Sequence, residues 1–325
     1  MQNFRVLHVG VGGRGRQWLG ETLKHPEFTP VAFVEPSAQS VAKTREKFPQ
    51  LDVPVFSSVN DALKSVKADV AIIAASSHAR IANCTECINA GVHFIVEKPF
   101  ALSLADGKRI VQLAAKKRVQ IVAGQNYRYF GDLAAMAQQV RAGTLGKLGA
   151  GIFLRTRRRF GKGTYQQSMR HNYLWEMAVH DFDLMRFTLN LKPKRVVGWS
   201  WQAPWGDYKG ETTVQALFEF ERGVRANYFG AWGNTVEEYM WRIDGSDGAL
   251  RTDGALKFAS MAAGQWQPVE HIQTQGEWEL MNELIAAIQS GKPAPTSGKD
   301  NLWTLAMMEA VVRATKSGRW TPIKV

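Results

Sequence analysis

The strongest constraint on this chain lies in its first two dozen residues. Residues 4–9 (FRVLHV) are rich in Val and Leu and alternate as a buried strand does. They run directly into Gly10-Val11-Gly12-Gly13-Arg14-Gly15, and residues 17–24 then continue with helical character up to His25-Pro26. Gly10, Gly12 and Gly15 therefore stand in G-x-G-x-x-G spacing between a strand and a helix. Each glycine answers a separate steric demand. The first allows a tight turn, the second lets backbone approach a pyrophosphate, and the third lets helix and strand pack closely. The helix start then offers its free N–H groups to the anion. Gly13 and Arg14 lie in the same turn and count among the candidate cofactor contacts.

The next element fits the same ligand. Residues 30–34 form a second short apolar strand that ends at Glu35, 20 residues beyond Gly15. An acid at this place can accept hydrogen bonds from an adenosine ribose. It also repels a 2′-phosphate, which favours NAD, while Arg14 and Arg16 lie close enough in sequence to keep NADP open. A plainer role for Glu35 is to cap the helix expected over residues 37–48.

The first half goes on alternating strand and helix. Residues 69–74 (DVAIIA) and 92–96 (VHFIV) are continuous apolar strands of the kind buried on both faces. Residues 103–117 form an amphipathic helix ending in Lys116, Lys117 and Arg118, and residues 120–123 are a further strand. This is the pattern of a doubly wound parallel sheet, a Rossmann domain, whose ligand sits at the C-terminal strand ends. The glycine turn, Glu35, Ser76-Ser77 and Glu97-Lys98-Pro99 all fall there.

After Gly124 the pattern changes. A helix over residues 131–142 is followed by long β-like runs at 148–160, 195–201, 212–221, 224–231 and 238–244, with Glu221-Arg222-Gly223 as a hairpin turn. The expected fold class is α/β plus α+β: a Rossmann sheet and a C-terminal, open, mostly antiparallel β-sheet domain. Six of the 11 tryptophans lie between Trp175 and Trp241, suited to a large sheet face, a subunit interface or a sugar-stacking surface.

Composition narrows the class. The chain has 325 residues, enough for about two domains. No apolar run reaches the length of a membrane helix and no signal peptide is visible, so the expectation is a cytoplasmic protein. The two cysteines, Cys84 and Cys87, form C-x-x-C inside a helix without glycine or proline, which reads as packing; two cysteines make no zinc site, and no metal is expected. The net charge is +12, and residues 133–175 hold eight cations with no acid. No nucleic-acid-binding signature accompanies them.

Two further groups carry chemistry. Lys98 directly follows a buried strand at the ligand end of the sheet, and burial or a nearby cation can make a lysine a usable base. Residues 175–183 (WEMAVHDFD) place Glu176 and His180 at i and i+4, with Asp183 three residues on, so a regular helix collects two carboxylates and an imidazole.

The G-x-G-x-x-G turn, the acid after strand two, Glu97-Lys98-Pro99, residues 124–128 (GQNYR) and the acid-x-x-x-His-x-x-Asp helix together resemble the glucose–fructose oxidoreductase / inositol dehydrogenase / MocA family over essentially the whole chain. The resemblance implies an NAD(P)-dependent oxidoreductase of sugars, cyclitols or related polyols. Lys98 would match the family's active-site lysine and His180 its histidine, with Glu176 where aspartate is usual and Ala178 where glycine is usual. Tyr127, Arg128 and Asp183 would line the substrate cleft. It further implies a homodimer or homotetramer formed through the open sheet. The expected division is 1–124 for the Rossmann domain, 125–298 for the substrate domain, and 299–325 for a last helix returning to the first domain.

The expected reaction moves hydride between NAD and a secondary alcohol, with Lys98 or His180 taking the hydroxyl proton and Glu176 orienting the imidazole. Arg155, Arg157 and Arg159 alternate onto one strand face, and the loop over 161–172 adds Lys162, Arg170 and His171, which suits an anionic sugar at Arg157. Two alternatives stay open: a redox-neutral enzyme that cleaves or rearranges a glycoside with tightly held NAD, and a non-enzymatic cofactor-binding regulator.

Overall fold

The computed structural model describes residues 3–160, 169–271 and 273–325. The first half alternates strictly: β1 (Phe4–Val9), α1 (Gly13–Lys24), β2 (Phe28–Val34), α2 (Ala38–Lys47), β3 (Val55–Phe56), α3 (Val59–Ser65), β4 (Val70–Ile73), α4 (Ser77–Asn89), β5 (His93–Val96), α5 (Leu104–Lys117) and β6 (Ile121–Ala123). The strands pair in the order β3-β2-β1-β4-β5-β6, and every pairing is parallel. This is the doubly wound order, with its switch point between β1 and β4. All C-terminal strand ends therefore share one edge.

Local chemistry explains the element boundaries. Helices α2, α3 and α5 each begin at a serine, Ser37, Ser58 or Ser103, whose hydroxyl accepts the N–H of a residue in the first turn. Strands β4 and β5 are buried almost throughout, as their unbroken apolar runs require. On α1, Trp18 and Leu19 are fully buried, each worth roughly 2–3 kcal/mol by area.

Beyond a 3₁₀ turn (Asn126–Tyr129) the second unit follows: α6 (Gly131–Arg141), β7 (Leu148–Arg157), a π-helical turn (Leu174–Ala178), α7 (Val179–Leu189), β8 (Pro193–Trp201), β9 (Thr213–Phe220), β10 (Arg225–Trp232), β11 (Glu238–Gly245), β12 (Gly248–Thr252), β13 (Leu256–Ser260) and β14 (Gln267–Pro268). After these come α8 (Gly276–Ser290), α9 (Gly298–Ser317) and β15 (Thr321–Pro322). The described strands form one sheet in the order β14-β13-β12-β11-β7-β10-β9-β8-β15. All its pairings are antiparallel except β7 with β10. Its inner face carries Phe153, Val196, Phe218, Tyr228 and Trp241, all buried.

Two expectations need correction. Strand β7 stops at Arg157 and does not run on to Phe160. The unit boundaries also differ: residues 1–126 and 275–302 form one compact unit, and residues 127–274 and 303–325 form the other. It is α8 that returns to the parallel sheet, packing on α1, β5 and β6. Its buried stripe of Leu280, Met281, Leu284 and Ile285 covers that sheet, and Ala123 N–H donates to Thr296 O just beyond it. Most of α9 belongs to the second unit, where β15 pairs with the edge of β8.

Candidate active site

In the first unit the glycine turn behaves as its spacing demands. Gly10 has φ +86°, and a Cβ there would lie 2.6 Å from the Ala75 nitrogen in the β4–α4 loop. At Gly15 a Cβ would fall 1.9 Å from Gly10 O, so α1 can approach β1 only without a side chain. Gly12 faces open space, no side chain caps α1, and no acid stands in its first turn. These features fit a bound pyrophosphate. Glu35 bridges the glycine turn and the start of α2: its Oε2 accepts Val11 N–H at 3.0 Å and its Oε1 accepts Ser37 N–H at 3.0 Å. Ser76 stands at the N-cap of α4, on the same sheet edge, with its carbonyl accepting Ala79 N–H.

The arginines of the turn are engaged elsewhere. Arg14 donates to Glu97 Oε1 at 2.5 Å, to Glu277 Oε1 at 2.6 Å and to Gln17 at 3.0 Å. Arg16 donates to Val11 O at 3.0 Å. Glu97 is buried at the end of β5, and Trp18 Nε1 also donates to its Oε1 at 2.7 Å, while its Oε2 accepts Lys98 N–H at 3.1 Å. Burial works against the carboxylate charge. Arg14, then Lys98, then the Trp18 bond outweigh it and hold the Glu97 carboxyl below the usual range. A fixed anion therefore anchors the backbone of Lys98, whose side chain is half-buried. Buried Arg80 ties the two neighbouring loops together, donating to Ala75 O at 3.0 Å and to Pro99 O at 2.8 Å. Trp18, Arg80 and Glu277 carry no motif that marks them in the sequence. The available signal for Arg80 is its place on one stripe of α4 with Cys84 and Cys87, at i+4 and i+7; Glu277, more than 250 residues from its partner, offers none.

In the second unit Tyr127, Arg128, Glu176, His180 and Asp183 come from the 3₁₀ turn, the π turn and α7. Arg128 and Asp183 make a bidentate ion pair with both contacts at 2.6 Å and both side chains buried. Asp183 also accepts from Arg186 at 3.1 Å and Thr304 at 3.0 Å. The His180 ring stacks on Tyr127 with centroids 4.1 Å apart and planes 10° apart. Regular α spacing does not hold at Glu176. Residues 174–178 form a π turn in which Val179 N–H donates to Leu174 O, set between a helical step at residues 172–173 and α7, which starts at Val179. Both flanks of this turn are pinned to one residue: Tyr173 Oη donates to Arg155 O at 3.0 Å, and Arg155 Nε donates to Asp181 Oδ1 at 2.7 Å. The wider turn accommodates one more residue between those pins.

The basic strand needs a second correction. Arg155 is buried against Asp181, which also accepts from Tyr228 at 2.7 Å. Burial opposes the Arg155 charge, but Asp181 outweighs it and raises the guanidinium above its ordinary value. Arg155 is thus a structural cation, chosen by a partner 26 residues away. Arg157 stands 3.3 Å from Glu237, Arg159 lies over the Trp232 ring at 4.5 Å, and Arg170 pairs with Glu211 at 2.8 Å. Lys162 and the rest of 161–168 lie outside the described residues.

Residues 4–125 match the model of an oxidoreductase family with an NAD-binding Rossmann fold, and residues 133–251 match the GFO/IDH/MocA C-terminal domain. The chain belongs to the Gfo/Idh/MocA family. This Gfo/Idh/MocA protein is 25% identical over 287 residues to a 1,5-anhydro-D-fructose reductase of Ensifer adhaerens, covering 82% of this chain and 83% of the relative. It is 23% identical over 261 residues to a D-apiose dehydrogenase of Paraburkholderia graminis, covering 72% and 68%. Its fold matches an oxidoreductase of Agrobacterium radiobacter, solved with NAD+, L-tartaric acid and magnesium, with TM-score 0.90, 18% identity and 99% coverage of each chain. It is an NAD(P)-dependent oxidoreductase, and its glycine turn fits NAD.

Proposed function

We propose that this Gfo/Idh/MocA protein oxidises or reduces a secondary alcohol of a sugar, sugar derivative or cyclitol with NAD. The observation that carries the reading is the anchored Glu97-Lys98-Pro99 segment at the ligand edge of a glycine-turn sheet. Sugar substrates are supported by the names of the two relatives. Gly10, Gly12, Gly13 and Gly15 receive the pyrophosphate, and Glu35 receives the adenosine ribose. Ser76, Glu97 and Lys98 border the nicotinamide half. NAD is the choice over NADP because Glu35 is an acid and because Arg14 and Arg16 already serve protein acceptors.

The bound nicotinamide supplies the hydride acceptor or donor. The protein moves the other particle: on oxidation, the hydroxyl proton passes to Lys98 Nζ or to a ring nitrogen of His180, and on reduction it returns. Glu176 is assigned to hold the imidazole. Proton transfer of this kind contributes about 10² to 10⁴ in rate. An anionic sugar is the narrower version, resting on Arg157, whose pair with Glu237 is exposed, whereas Arg155 is buried against Asp181. The reading also includes a cytoplasmic setting and a homodimer or homotetramer. Support for self-association comes from the outer sheet face, where Ile152 and Trp199 are 41% and 48% exposed beside Leu217, Phe229 and Met240.

A panel of sugars, sugar acids and cyclitols with NAD and with NADP identifies the substrate. Lys98→Met should then bind NAD as the parent does and lose about 10²-fold or more in kcat. A Lys98→Met protein with normal kcat refutes the assignment.

A further inference from the structure

We infer that Tyr127 and Phe130 are positioning residues that hold the His180 imidazole in one plane, with the Arg128–Asp183 ion pair as the clamp that sets them. The inference rests on the reading that His180 handles the substrate proton. Three rings form one stack. His180 lies 4.1 Å from Tyr127 with planes 10° apart, and Phe130 lies 4.5 Å from Tyr127 with planes 29° apart. Two rings this near the centre of a third cannot share a face, so Tyr127 is sandwiched between them.

Local backbone geometry builds the stack. Tyr127 and Phe130 are three residues apart across the 3₁₀ turn, and side chains at i and i+3 eclipse in that helix. The clamp then sets this pair against α7. Arg128 is the immediate neighbour of Tyr127, and Asp183 is one turn beyond His180 on the same helix. Their two parallel 2.6 Å bonds fix orientation as well as distance, because the planar guanidinium meets the carboxylate as a fork. Asp183 is itself held by Arg186 and Thr304, so the clamp has no slack.

The consequence concerns the imidazole. Rotating the His180 ring out of plane would break the stack, so the imidazole keeps its plane while a proton is received or returned. A general acid or base works only within hydrogen-bond reach of its proton, and misplacement by about 1 Å can cost about a hundredfold. Arg128 and Asp183 are thereby framework and not substrate ligands, and Tyr127 acts through its ring face and not its hydroxyl.

Two substitutions separate ring from hydroxyl. Tyr127→Phe keeps the stack, and Tyr127→Leu keeps apolar bulk without it. Each is assayed for kcat and for KM of sugar and NAD, and by NMR of histidine-labelled protein, with the His180 ring signals assigned through His180→Asn. Tyr127→Phe should retain kcat within about twofold, whereas Tyr127→Leu should lose about ten- to a hundredfold in kcat with KM for NAD unchanged. The His180 ring protons should resonate upfield in the parent and in Tyr127→Phe, and move downfield in Tyr127→Leu. Equal loss of kcat in both variants overturns the inference, because the hydroxyl would then be the active part. The two readings fail separately: normal kcat in His180→Asn overturns the proton-transfer role of His180, whereas unmoved His180 signals in Tyr127→Leu overturn the stack while that role stands.

Discussion

Strand β1 contains a histidine that the fold tolerates only when neutral. His8 is 1% exposed, Phe33 lies edge-on to its ring at 6.3 Å, and neither ring nitrogen has a hydrogen-bond partner among the described residues. Burial alone drives its pKa from the ordinary 6.5 down to about 3. Below pH 6.5 the unfolded chain takes up a proton that the folded chain refuses until about pH 3. Stability is therefore untouched above that window and falls as pH drops through it. The separation is worth about 5 kcal/mol in full and about 2 kcal/mol by pH 5. Replacing His8 by Leu removes this penalty and the two unpaired nitrogens, for a gain of about 1 kcal/mol at neutral pH. The assay is urea unfolding at pH 7 and pH 5, read by hydrogen exchange in the peptide spanning residues 4–9. The His8→Leu protein should lose about 2 kcal/mol less than the parent between the two pH values. Since the other histidines are common to both proteins, parallel stability curves would refute the argument.

Cofactor choice and assembly offer two further tests. Glu35→Ser should leave the turn intact and shift the NADP-to-NAD ratio of kcat/KM towards NADP by about tenfold or more; an unchanged ratio would mean that Glu35 does not face the ribose. Placing arginine at both Ile152 and Trp199 should convert a dimer or tetramer to monomer in sedimentation velocity, because an interface of standard size, about 1,600 Å², cannot bury unpaired charges there. Retention of the parent's sedimentation coefficient would remove the outer sheet face from the assembly.

What could be read without coordinates was whatever the chain encodes over short separations. The glycine turn, the apolar strands and the acid after β2 depend on i to i+n geometry, and each was legible because sterics and periodicity act between neighbours. The hairpin at Glu221-Arg222-Gly223 was legible for the same reason: it joins β9 to β10, with Arg222 and Gly223 both at positive φ. Long-range pairing was another matter. Arg155 reads as a candidate ligand for an anion, but its buried partner is Asp181, and Arg128 and Asp183, expected along the cleft, are joined in one ion pair that the sequence does not announce. A buried charge must find an opposite charge, but sequence does not say which one, because the energy depends on proximity that only the packed chain creates. The same holds for α8: its apolar stripe called for a surface to cover, and tertiary packing chose the parallel sheet. The glycine turn was thus fixed by residues in contact along the chain, whereas the setting of His180 was decided by residues brought together from far apart.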